Sequence, residues 1–334
     1  MTKVVIIGQA DFAGSAYQAA SAINSIGRFN VRHISMQQHF YAFPHDVIIP
    51  CHQPSHPGVF AKDCDNNDLV KQLIKEADII HVWNNIPNDP GHREFEESGI
   101  DIPLNKPIVI TMTGSLYRKE RMRLDKLIKE RGWRFVIQNP MLRFPSEIKS
   151  TFIPHAVDTE HLQPLVNKDN EKVIFGGYFG NFHSLAADKT FLENHIKNKD
   201  SFVTDFKLQR IPWKQNVEII RKCDIFWQGS EISRVVRYVG RSSLEAMAMG
   251  TPVISYVDIK GTITLSEGKL GEDIPILNTV SEQFDNHLNK LVEDRDFRIE
   301  LGKKGREWIE KYFSYKVVGS LYSKIYEEVL GGII

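Results

Sequence analysis

The stretch Gly240–Ser255, GRSSLEAMAMGTPVIS, decides how this chain is read. It gives a tight glycine turn, a short helix, a second glycine and then a buried strand. Gly240 allows close backbone approach, and Ser242 and Ser243 fall where the helix begins. Free backbone N–H groups and the positive end of the helix dipole meet there, a combination that suits an anionic phosphate. Glu245 follows on the first turn, where a carboxylate accepts hydrogen bonds from a pair of hydroxyls. Gly250-Thr251-Pro252 ends the helix and Val253-Ile254-Ser255 enters a sheet. A diphosphate with a ribose beside it satisfies every group in this layout.

Outward from this stretch, short apolar runs alternate with helical patterns, the signature of βαβ units and parallel sheets. Strands are expected at Val4–Ile7, Val31–Ser35, Val47–Ile49, Ile79–Trp83, Ile108–Thr111 and Arg134–Gln138, with helices at Ala16–Ser25, Asn67–Ala77 and Arg118–Arg131. A second series follows Asn167, with strands near Val173–Gly177, Phe202–Lys207, Ile225–Trp227 and Pro252–Tyr256. Between the two series, Ile153 to Pro164 is proline-bounded and helix-poor, as an inter-domain crossing should be. From Ser281 to about Leu330 the pattern is almost all helical. The expected architecture is α/β: two doubly wound, Rossmann-like domains facing each other across a cleft.

Bulk properties narrow the function. A chain of 334 residues can hold two cores, and 42% hydrophobic with 25% charged residues is an ordinary globular composition. Forty-two basic residues balance 42 acidic ones, so the chain as a whole has no electrostatic footprint for a polyanion. No apolar run approaches the roughly 20 residues that span a bilayer. Three scattered cysteines, Cys51, Cys64 and Cys223, point to a reducing, cytoplasmic setting.

Gly240–Ser255 closely resembles the donor-binding segment of retaining GT-B glycosyltransferases of family four, the glycosyl transferases group one type. Other places resemble the same family in the same order. Ile153-Pro154-His155-Ala156-Val157-Asp158 is similar to its inter-domain crossing. The segment from Leu208-Gln209-Arg210 through Ile211-Pro212-Trp213 to Cys223 is similar to its nucleobase-holding segment, and Glu310–Glu327 to the last helices that brace the first domain. The resemblance implies an acceptor-side domain at 1–155, a nucleotide-sugar domain at 156–310 and a returning helix at 311–334. It implies a nucleotide-diphosphate sugar as donor, bound by Gly240, Arg241, Ser242, Ser243, Glu245, Arg210 and Ile211. No cofactor and no metal are implied.

The first strand-to-helix loop, Gly8 to Ser15, lacks the lysine of a P-loop and has Ala10 where a dinucleotide fingerprint needs glycine. Two readings remain for it. It borders the acceptor and approaches the donor phosphates, as in the family, or it is a tight turn with Gly14 for geometry alone. Asp11, Gly14, Ser15, Asn84 and Thr113 are the acceptor-side candidates.

The chain also departs from the family. The family usually carries two glutamates eight residues apart; Glu245 matches the second, and Arg237 stands where the first would be. Arginine grips anions in a fork, so Arg237 is read as a ligand for the diphosphate, for a charged sugar or for an anionic acceptor, or as half of a structural ion pair. Thr113 replaces a histidine common in relatives and would only shape the pocket. Lys189 is the candidate for the phosphate-neutralising lysine, against the reading of a solvated helix residue. Arg237, Arg241 or Arg210 would supply the partner arginine. Arg237 and Lys189 are therefore the catalytic candidates.

Several signals carry less. Cys51, His52, His56 and Cys64 match no zinc spacing. Asp63-Cys64-Asp65 and Asp294-Arg295-Asp296 are coincidental Asp-x-Asp pairs. The run Lys119, Arg121, Arg123, Lys126, Lys129, Arg131 is either a solvated helix face or a contact for a peripheral membrane or nucleic-acid acceptor. The expected function is sugar transfer to an acceptor hydroxyl in glycan biosynthesis. The alternatives are transfer to a modified nucleobase in DNA, a GT-B sugar-nucleotide epimerase, or an inactive donor-binding subunit. No obligate protein partner is expected.

Overall fold

The computed structural model describes residues 1–11, 14–37, 42–48, 66–87, 89, 94–142, 148–165, 170–178, 190–196, 202–207, 211–229 and 238–332. The chain divides into two compact units, Met1–Ala156 joined by the chain from Tyr315 on, and Val157–Ser314.

Among the described residues the first unit has seven strands: β1 Thr2–Ala10, β2 Phe29–Gln37, β3 Val47–Ile48, β4 Ile79–Trp83, β5 Ile108–Met112, β6 Arg134–Ile137 and β7 Ser150–Phe152. They pair in the order β3-β2-β1-β4-β5-β6-β7, every pair parallel. Helices α1 Ser15–Ser25, α2 Asn67–Glu76, α3 Glu94–Glu97 and α4 Ser115–Arg131 belong to the same unit. β4 and β5 are buried at every position, as expected of strands covered on both faces. The strand order reverses between β1 and β4, so their carboxyl ends meet at a topological switch point.

Among the described residues the second unit has five parallel strands: β8 Val173–Tyr178, β9 Phe202–Lys207, β10 Ile225–Trp227, β11 Val253–Ser255 and β12 Leu277–Asn278. Their order is β12-β11-β10-β8-β9, with the reversal between β8 and β10. Among its helices are α5 Trp213–Lys222, α6 Arg241–Ala248, α7 Ile259–Leu265, α8 Phe284–Glu293 and α9 Arg295–Tyr312. Phe175, Phe191, Trp227, Phe284 and Leu288 form its core.

The long helical pattern at the end of the chain is interrupted twice. Asp294, read as half of an Asp-x-Asp pair in a helical stretch, separates α8 from α9, and its carboxylate caps α9 by accepting Phe297 N–H at 2.8 Å. Ser314 breaks the pattern again, and α10 Tyr315–Leu330 joins the first unit. There Val318, Tyr322, Ile325 and Tyr326 enter one core with Ala19, Ala22 and Ile23 of α1. The two passages of chain between the units run side by side: Val157 N donates to Phe313 O at 2.8 Å. The passages fall at Ala156/Val157 and Ser314/Tyr315, a few residues from the positions 155/156 and 310/311 given by the resemblance.

Arg306 of α9 holds the first turn of the second unit in place. Its guanidinium donates to Leu162 O at 2.5 Å, to Thr159 O at 2.7 Å and to Ala248 O at the end of α6. The same helix approaches the chain after α6 so closely that a Cβ on Gly302 would lie 2.1 Å from Gly250 O. α6 is thereby pinned at its carboxyl end. No helix among the described residues is long and apolar enough to cross a membrane.

Candidate functional site

The amino end of α6 is set by a residue the sequence reading passed over. Gln228 follows β10 directly, at the switch point of the second sheet. Its Oε1 accepts from Gly240 N at 3.0 Å and from Ser243 Oγ. Its Nε2 lies over Gly240, where an added Cβ would stand only 1.7 Å away. Gly240 is extended (φ −81°, ψ 165°), a conformation open to any residue, so a side chain here would be met by the Gln228 amide and would have to displace it. The first intrahelical bond runs from Leu244 N to Gly240 O, which leaves the N–H groups of Ser242 and Ser243 ahead of the helical ladder. Ser243 is fully buried with its hydroxyl on Gln228, whereas Ser242 is half-buried.

Glu245 is the fifth residue of α6 and 1% exposed. Its Oε1 accepts from Trp213 Nε1 at 2.8 Å and from Arg241 Nε at 2.9 Å. Its Oε2 is buried with no hydrogen-bond partner. A buried carboxylate oxygen without a donor costs on the order of 1–3 kcal/mol, which a ligand hydroxyl would relieve. Two fixed donors on the other oxygen hold the carboxylate in one orientation. Trp213 opens α5 after Pro212, and Ile211 beside it is half-buried. Arg241 is committed to Glu245 through Nε, its side chain 9% exposed.

In the first unit, the acceptor-side candidates cluster at the carboxyl ends of β1, β4 and β5. Asp11 is buried and accepts the N–H groups of Ala16 at 3.0 Å and Tyr17 at 2.9 Å. The anion at the amino end of α1 is therefore the chain's own carboxylate. Gly14 adopts φ 64°, and a Cβ there would meet the Phe43 ring at 2.7 Å. Both constraints require glycine. Ser15 Oγ accepts from Trp83 Nε1 at 3.2 Å. Asn84, at φ 51°, and Thr113 close on each other: Thr113 N and Oγ1 donate to Asn84 Oδ1 at 2.8 and 2.9 Å. Below them, His81 is completely buried, with Nδ1 2.8 Å from Tyr326 Oη and Nε2 2.7 Å from Thr111 Oγ1. Burial lowers its pKa to about 3, so the ring is neutral, serving as a polar tie between the sheet and α10.

The structure thus groups Gly240, Arg241, Ser242, Ser243 and Glu245 at one helix start, and Asp11, Gly14, Ser15, Asn84 and Thr113 at one end of the first sheet. Arg237, Lys189 and Arg210 lie outside the described residues, as do Cys51, His52, His56, Cys64 and Asp63-Cys64-Asp65. In the basic run, Arg123 pairs with buried Asp89 and with Glu120, and Lys126 approaches Glu130 at 3.8 Å. Gln228, missed in the sequence, had a signal there: a polar residue directly after the apolar run Ile225–Trp227, where doubly wound sheets place ligands.

Two doubly wound, parallel-sheet units in one chain give it the GT-B fold. Residues 161–308, nearly all of the second unit, match the family Glycosyl transferases group 1. The resemblance drawn from Gly240–Ser255 holds at that level, and sugar transfer is the class of chemistry it gives. The fold is shared over almost the whole chain with solved structures of low sequence identity. An α-glucosyltransferase in complex with UDP and a 13-mer DNA containing a HMU base aligns with a TM-score of 0.63 at 10% identity, covering 99% of this chain and 100% of that one. A glycosyltransferase from Rickettsia africae ESF-5 aligns with a TM-score of 0.61 at 13% identity, covering 98% and 99%. HepE of Anabaena in complex with UDP gives 0.61 at 11% identity, covering 98% and 100%. No curated protein matches the chain by sequence.

Proposed function

We propose that this chain is a retaining, metal-independent glycosyltransferase that moves a sugar from a nucleoside-diphosphate sugar to an acceptor hydroxyl in building a glycan. The observation that carries the reading is Glu245: one oxygen fixed by Trp213 and Arg241, the other buried and unpartnered, beside a helix start with open N–H groups. The ribose hydroxyls donate to Oε2. The diphosphate takes the N–H groups of Ser242 and Ser243 and the helix dipole. Ile211 and Trp213 flank the base, with Arg210 nearby in sequence. Arg237 and Lys189 neutralise the phosphates, and Asp11, Gly14, Ser15, Asn84 and Thr113 form the acceptor side.

On this mechanism the bond from the anomeric carbon to the phosphate oxygen breaks. The acceptor oxygen bonds to the same face, and its proton passes to the departing diphosphate. Cations and N–H donors at the phosphates stabilise the charge that develops there. Incubation with a panel of nucleotide sugars and glycan acceptors, with and without EDTA, tests the reading. A product with the anomeric configuration of the donor, formed equally in EDTA, is the expected result. Inversion, or a requirement for metal, would contradict it. Donor consumed without acceptor would indicate an epimerase, and donor bound without turnover a silent subunit.

A nucleobase in DNA is the second acceptor reading, favoured by one feature of α4. Arg118, Lys119, Arg121 and Arg123, with Glu120 and the 79% exposed Met122, line an open cavity of about 540 Å³ in the first unit. Transfer of labelled sugar to duplex DNA, weakened by Lys119→Glu, would support that acceptor over a glycan.

A further inference from the structure

Gln228 holds the helix start that the proposed donor site depends on. Its carboxamide has two unlike ends. Gly240 N and Ser243 Oγ both meet the same atom, and a backbone N–H can only donate, so that atom is the amide oxygen. The other end is Nε2, a donor, lying against Gly240 at the residue before α6. That placement sets an amide N–H beside the helix's own leading N–H groups, at the carboxyl end of β10, where the sheet order reverses. The buried Oε2 of Glu245, unpartnered one turn further along the helix, marks the same helix start as a place that receives a ligand.

We infer that Gln228 does two things for the donor: Oε1 fixes the turn into α6, and Nε2 donates a hydrogen bond to the diphosphate. The inference rests on the reading of this helix start as the diphosphate site. It accounts for Gly240 as well, since any side chain there would displace the amide. Gln228→Glu separates the two roles. The carboxylate keeps an oxygen for Gly240 N and Ser243 Oγ, but replaces the Nε2 donor with an anion facing the phosphates. Gln228→Leu removes both roles.

The test is calorimetric titration of the full chain with UDP, GDP and ADP, alongside thermal unfolding of each variant. Wild type is expected to bind one of the three. Gln228→Glu should unfold within about 2 °C of wild type yet bind that nucleotide at least about tenfold more weakly, the scale of one charge-assisted hydrogen bond. Gln228→Leu should lose both stability and binding. Gly240→Ala displaces Nε2 without changing charge and should also weaken binding at least about tenfold, which keeps the question open to decision if Gln228→Glu does not fold. Wild-type affinity in either Gln228→Glu or Gly240→Ala would overturn the role of Nε2 while leaving the site in place. A wild-type chain that binds none of the three would overturn the site itself, and this inference with it.

Discussion

Glycine, histidine and aspartate each do something here that their sequence neighbourhood only half announces. Gly240 is glycine because the Gln228 amide fills the space of its Cβ, and Asp11 supplies the negative charge at the start of α1. His81 and His33 are both buried as neutral rings, each with a pKa lowered to about 3 by burial. In the unfolded chain both titrate near the ordinary histidine value of about 6.5. Below that pH the unfolded state takes up protons that the folded state refuses. Stability is therefore full above about pH 6.5 and falls as pH drops toward 3, by about 1.4 kcal/mol per pH unit for each ring. Urea unfolding at pH 7 and pH 5 should show this loss. His81→Gln, which removes one titrating ring from the buried contacts with Tyr326 and Thr111, should shrink the difference; an unchanged difference would contradict the burial of a neutral His81. The strand Ile79–Trp83 was legible from its apolar run, but whether His81 faced ligand or core was not. That depends on α10, which lies more than two hundred residues away in the chain.

At the scale of elements, close packing is written into glycines that periodicity alone does not explain. Gly319 of α10 sits against α1, where a Cβ would lie 2.2 Å from Ala22 O. Gly319→Ala should push the two helices apart and cost roughly 1–3 kcal/mol, read as a lower urea midpoint. Gly331, where an added Cβ would meet nothing closer than 3.4 Å, is the control, and Gly331→Ala should leave the midpoint unchanged. Equal effects at the two positions would contradict the packing. Most strands were readable because their apolar runs are continuous, as parallel sheets demand. β7 and β12 were not: β7 is buried only at Phe152, and β12 is two half-buried residues, so neither leaves a run to read. The break at Asp294 was legible only as a pair of acids, because a cap is recognised by the N–H it accepts.

At the scale of the molecule, the chain returns to its first unit through α10, whose Tyr322 and Tyr326 are fully buried in that unit's core. Ending the chain after Ser314 should therefore unfold the first unit's sheet. A loss of its cooperative transition and strong binding of an apolar dye are the expected observations; an unchanged transition would show that α10 is dispensable. The two-unit organisation was legible in the alternation of apolar runs and the proline-bounded passage Ile153–Pro164. The helix start that forms the proposed donor site was legible at Ser242, Ser243 and Glu245, because a glycine turn, a helix start and an acid are local in sequence. Gln228 and the Trp213–Glu245 bond were not, because they bring together residues 12 and 32 positions apart.

The central claim is that a nucleoside-diphosphate sugar binds at the start of α6 with its ribose on the open oxygen of Glu245. Calorimetric titration of wild type and Glu245→Gln with UDP-, GDP-, ADP- and CMP-sugars tests it most directly. The glutamine keeps an oxygen for Trp213 and Arg241 but presents an amide where Oε2 accepts. Wild type should bind one nucleotide class selectively, and Glu245→Gln should bind it about thirtyfold more weakly, the loss of about 2 kcal/mol from one hydrogen bond to a charged group. Equal affinity in the two proteins, or no binding of any nucleotide sugar by wild type, would contradict the account.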